Sequence, residues 1–126
     1  MGYNLLLIFL GGGIGSVLRY LIGKFTLQYY SGSFPAGTFI ANAFSCFLIG
    51  GILYLYLSRD VVVNKSLTFL LITGFCGGLS TFSTFSFETF ELMKQGLYFT
   101  AFLNVILSVL VGLTAIFVMY KSALEA

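Results

Sequence analysis

The chain has 126 residues, 59% of them hydrophobic and 8% charged, with a net charge of +2 and a mean hydropathy of +1.03. A composition this apolar excludes an ordinary soluble domain and makes a lipid bilayer the natural solvent. With no histidine, no Ser-His-Asp or Cys-His nucleophile can be assembled, which removes most enzyme chemistry, and the six basic residues form no patch for nucleic acid.

Crossing the hydrocarbon core takes roughly 20 apolar residues in a helix. Long charge-free runs, broken at Gln28–Pro35, Arg59–Lys65 and around Lys94–Gly96, predict four spans near residues 3–25, 36–58, 66–94 and 98–120. The connections are short, so the whole chain reads as one integral, multi-pass membrane domain in an all-α fold.

Span one lacks a basic leader and a small-residue cleavage site, and it reads as a retained span. It carries Gly11, Gly12 and Gly15, whose small-xxx-small spacing lets helices approach closely, and it ends near Arg19. Span two places Thr38, Asn42, Ser45 and Cys46 on one face, with Gly50 and Gly51 further on. Cys46 and Cys76 both fall within spans, which argues against a disulfide.

Span three holds the most informative stretch. Three glycines and five hydroxyl side chains crowd residues 74–86, and residue 80 is the midpoint of the span. Such a stretch weakens a helix, and weakened backbone at membrane depth must be supported by protein or line a pathway. The third helix is therefore expected to break at mid-membrane. Span four adds Asn104, Ser108 and Gly112 on one face.

An amide in hydrocarbon needs partners, so Asn42 and Asn104 must face the protein interior. Singly, such residues act as glue between helices; three stripes in three spans read better as a hydrophilic track. The groups on offer favour an anion. The span interiors contain one acid, Glu88, whereas a cation pathway normally shows carboxylates. Hydroxyls at Ser83, Thr84 and Ser108, the Asn42 amide and the Arg19 guanidinium are donors. Phe82 and Phe85, on the face of Glu88, carry ring edges of positive potential. The break itself exposes main-chain carbonyls near Gly77 and Ser80, which could hold a small cation or could accompany a plain glycine kink.

Orientation is weakly specified. Arg59, Lys65 and Lys121 fall on one side, and Lys24 and Lys94 on the other with Arg19 nearby. So small a bias gives little drive for either topology. Four spans can hardly enclose a pathway alone, and a mid-span break would meet its copy across a two-fold axis in the membrane plane. An antiparallel, dual-topology homodimer is expected.

Three motifs, Gly11-Gly-Gly-Ile-Gly-Ser-Val-Leu-Arg-Tyr20, Gly37-Thr-Phe-Ile-Ala-Asn42 and Gly74-Phe-Cys-Gly-Gly-Leu-Ser-Thr-Phe-Ser-Thr-Phe-Ser86, resemble those of the Fluc (CrcB) fluoride channels in order and spacing. The resemblance implies a dual-topology dimer with two fluoride pores and a central sodium ion. By position, Gly77 and Ser80 would ligate sodium through backbone carbonyls, Phe82 and Phe85 would be the pore pair, and Asn42 the pore amide. Thr84 and Ser108 would belong to the polar track and Arg19 to the aqueous entrance. Ser80 stands where that family usually has Thr, and Ser45 where it usually has Gly. The function implied is passive, selective fluoride export across the inner membrane. A small multidrug-type proton-coupled antiporter is the alternative, but it should carry an acid in span one, and residues 3–18 contain none.

Overall fold

The computed structural model describes residues 2–58 and 64–126. It contains α1 (Gly2–Tyr29), α2 (Ala36–Ser58), α3 (residues 65–79), α4 (Phe82–Lys94) and α5 (Tyr98–Glu125). Together α3 and α4 form the third of four stretches long and apolar enough to cross a membrane. Arg59, one of the charges weighed for orientation, lies outside the described residues.

Local signals set the helix ends. Pro35 precedes α2, where its missing amide leaves nothing unsatisfied, and its carbonyl accepts from Phe39 N–H at 3.0 Å. The Asn64 side chain caps α3 by accepting from Leu67 N–H at 2.8 Å. Gly96 ends α4 with φ +76°, a left-handed turn in which Gly96 N–H reaches the Met93 carbonyl and Leu97 N–H the Leu92 carbonyl. This is the Schellman pattern, and it reverses the chain into α5. At their outer ends α1 and α5 run further than the hydropathy boundaries, to Tyr29 and Glu125. Hydrogen-bonded helix continues into the polar flanks, where hydropathy no longer registers it.

Packing relies on small residues. Large apolar side chains such as Phe9, Leu27 and Phe117 are exposed, while Gly11, Gly15, Ala41, Gly50, Gly112 and Ala115 are buried. This inversion suits helices that meet lipid on the outside and each other on the inside. α1 lies against α3, with Gly11 under the Leu70 carbonyl and Gly15 under the Phe75 carbonyl. α2 lies against α5, where a Cβ at Gly50 would stand 3.1 Å from the Ala115 carbonyl. Gly51 faces open space. Gly11 and Gly15 of span one therefore serve packing within the chain.

Much of α3 is π-helical, from Thr68 to Cys76. Within the stretch expected to weaken the helix, Gly77 and Gly78 remain helical. The interruption falls at Ser80 and Thr81, both extended, with ψ of 156° and 115°. Gly78 instead permits contact, since a Cβ there would collide with the Gly12 carbonyl.

Candidate functional site

The interruption is held by one side chain from α2. Asn42 accepts from Thr81 N–H through Oδ1 at 2.7 Å and donates from Nδ2 to the Thr81 carbonyl at 3.4 Å. Thr81 then caps α4: its Oγ1 accepts from Thr84 N–H at 3.2 Å, donates to Thr84 Oγ1 at 3.0 Å and lies 3.4 Å from Ser83 Oγ. Upstream, the Cys76 carbonyl collects Ser80 N–H, Ser80 Oγ and Ser45 Oγ.

These bonds have a consequence for two carbonyls. In an unbroken helix Gly77 O would receive Thr81 N–H, and Ser80 O would receive Thr84 N–H. Here the first amide goes to Asn42 and the second to Thr81 Oγ1. Both carbonyls are left with lone pairs for another donor or a cation. Hard oxygen ligands of this kind fit an alkali ion, and among the described residues no His, Cys, Asp or Glu cluster offers a different metal site.

The face of Asn42 opens on a cavity of about 290 Å³ lined by Cys46, Ser80, Thr81, Phe82, Phe85 and Ser108. The Phe82 and Phe85 rings stand 5.9 Å apart between centroids and are inclined at 37°. Ser108 Oγ is buried without a hydrogen-bond partner. A hydroxyl left in this way at a cavity wall is a donor ready for a guest. No carboxylate lines this cavity.

Arg19, Thr38 and Thr84 line a separate pocket of about 560 Å³ where the end of α1 meets the start of α2. Thr38 Oγ1 donates to Glu88 Oε1 at 2.9 Å, while Glu88 Oε2 is buried and unpartnered. The bonded Thr81 and Thr84 hydroxyls line different spaces, Thr81 the smaller and Thr84 the larger.

Residues 6–120 match the family described as CrcB-like protein, Camphor Resistance (CrcB). The chain belongs to the CrcB-like family. Three curated relatives bear the name fluoride-specific ion channel FluC. The protein from Pyrococcus abyssi is 46% identical over 114 residues, covering 89% of each chain. That from Phocaeicola vulgatus is 46% identical, over 90% of this chain and 92% of the relative. That from Flavobacterium psychrophilum is 46% identical over 86% of both. With its four long apolar helices, this CrcB-like chain is a multi-pass membrane protein.

The structure sorts the residues singled out in the sequence. Asn42, Phe82, Phe85 and Ser108 share the smaller cavity, and Ser80 contributes to its wall. Arg19, Thr38 and Thr84 share the larger pocket, and Ser83 is exposed beside the cap. Asn104 sits apart from both, buried, donating to Thr89 Oγ1 at 2.9 Å and so tying α5 to α4. Thr81 is the residue sequence reasoning undervalued. Its signal was present: a threonine three positions before Thr84 at a helix start is an N-cap pattern.

Proposed function

We propose that this protein is a fluoride-selective passive anion channel that exports fluoride from the cytoplasm and so lowers its toxicity. The observation that carries the reading is the smaller cavity, where the unpaired Ser108 hydroxyl, the Asn42 amide and two phenyl rings converge with no carboxylate among them. Fluoride is small and tightly hydrated, so a pathway must replace water by close donors and positive ring edges. The relatives' names point to the same ion. The chain is a conduit, with no enzymatic step.

Hydrogen fluoride crosses bilayers as the neutral acid and dissociates in a less acidic cytoplasm, trapping the anion. An inside-negative potential then expels it through a passive pore, at about 2.3 kcal/mol per charge per 100 mV. No coupling device is required, and the proton-coupled antiporter is not favoured, because α1 contains no acid.

The working form is an antiparallel homodimer in the inner membrane, with the Ser80–Thr81 interruption at the bilayer midplane. Support comes from what a single subunit leaves uncovered. Gly77, Ser83, Thr84 and Ser86 are exposed around the interruption, and polar backbone at such depth needs protein rather than lipid over it. A second copy supplies that cover. The Gly77 and Ser80 carbonyls would hold a sodium ion at the subunit junction, which contributes a fixed positive charge and oxygen crosslinking there. Ser80→Ala is expected to retain near-normal flux, because the carbonyl survives and the hydroxyl only back-bonds to Cys76. Gross loss in that variant would count against main-chain ligation.

Phe82→Ile and Phe85→Ile keep bulk but remove the positive edge, and each is expected to slow fluoride flux about tenfold, the upper range of aromatic terms beyond burial. Unchanged flux in both would assign the rings to packing. The reading as a whole is tested with loaded liposomes: fluoride should leave when the protein is present, and chloride should stay. Comparable chloride efflux, or no fluoride efflux from well-folded protein, overturns it.

A further inference from the structure

The larger pocket, of about 560 Å³, is far roomier than a bare fluoride ion requires. Arg19 and Lys24 line it from α1, with Tyr20 and Ser16 on the same helix, Thr38 from α2 and Thr84 from α4. Among the described residues neither Arg19 nor Lys24 takes part in an ion pair; the pairs present are Lys94 with Glu91 and Lys121 with Glu125. The Arg19 side chain is half-buried, and a guanidinium partly removed from water without a carboxylate is an incomplete arrangement.

The opposing charge is small. Of the two acids on α4, Glu91 is paired with Lys94, and Glu88 Oε1 is occupied by the Thr38 hydroxyl, which removes Thr38 as a donor to a guest. Thr84 receives a hydrogen bond from Thr81 and keeps its own O–H free. Two cations against one carboxylate leave the pocket positive, and α2 begins beside it at Ala36, adding the positive end of a helix. Arginine's fork matches an oxyanion bidentately, with lysine as a second point charge. The flank is apolar: Tyr20 is 67% and Leu27 80% exposed, next to the charges and near the end of α1.

We propose that this pocket binds the phosphate group of an anionic phospholipid, with Arg19 as the fork, Lys24 as the second cation, and the acyl region lying along Leu27 and Tyr20. A free phosphate offers the same oxygens but has no use for the apolar flank. The inference rests on membrane placement and is independent of which ion permeates.

Delipidated protein re-exposed to equal amounts of phosphatidylglycerol and phosphatidylcholine is expected to retain the phosphatidylglycerol preferentially in native mass spectra. Lys24→Gln should lower that retention about fivefold, the effect of removing one cation facing an anionic lipid. Arg19→Gln should lower it further, and Arg19→Lys, which keeps charge but loses the fork, should fall between wild type and Arg19→Gln. Lys24 is exposed, so its variant should fold even if Arg19→Gln does not. Equal retention of the two lipids, or unchanged retention in Lys24→Gln, overturns the site. Release of the bound lipid by inorganic phosphate at matched ionic strength would make the free ion the ligand and overturn the lipid assignment.

Discussion

Asn42→Asp is expected to reduce fluoride flux about a thousandfold while leaving the chain folded. Aspartate keeps an oxygen for Thr81 N–H, the shorter of the two contacts at 2.7 Å, and gives up the longer one at 3.4 Å. The interruption between α3 and α4 therefore keeps its main support. What changes is the charge on a cavity wall shared with Phe82, Phe85 and Ser108. A unit charge about 4 Å from a passing anion repels it by about 4 kcal/mol at an effective dielectric of about 20, roughly three powers of ten in rate. Asn42→Ala removes both contacts but leaves the wall neutral, and about a tenfold loss is expected, matching one net hydrogen bond. Flux from fluoride-loaded liposomes orders the three proteins. An Asn42→Asp protein that conducts as well as Asn42→Ala would remove Asn42 from the anion's path and leave it only a structural role.

Gly15→Leu is expected to destabilise the fold by about 3 kcal/mol or more, at the upper end of overpacking effects. A Cβ at Gly15 would run into the Phe75 carbonyl and come within 2.8 Å of Leu79 N–H nitrogen. Both obstacles are backbone and cannot rotate away, and the helix they belong to leads straight into the Ser80–Thr81 interruption. Gly51→Ala is the matched control, because nothing lies within 4 Å of a Cβ there, and alanine favours helix by about 1 kcal/mol over glycine. Thermal unfolding in detergent reads both. Equal melting of the two variants would show that α1 and α3 need not approach so closely.

Much was legible without coordinates, because the determining physics is local. Twenty or so apolar residues in a row have few alternatives to a membrane helix, and Pro35 and Gly96 punctuate the chain through their own backbone constraints. Asn42 and Asn104 could be assigned inward for a similar reason, as lipid offers them no partner. The α2 stripe points as its periodicity implied: Thr38, Asn42 and Ser45 reach Glu88, Thr81 and Cys76 in turn, all on the third span.

Only the tertiary structure decided where that span breaks and how the polar groups divide. Propensity marked residues 74–86 as weak without choosing among them; Gly77 and Gly78 stay helical, and Gly78 backs onto Gly12. The helix ends where Asn42, 39 positions away in sequence, takes the Thr81 amide in place of the Gly77 carbonyl. The same long-range contacts place Asn104 against Thr89, although its spacing from Ser108 put the two on one stripe. Helical periodicity determines which face a residue occupies. Which neighbour meets that face depends on how α2, α4 and α5 pack, and no local pattern encodes it.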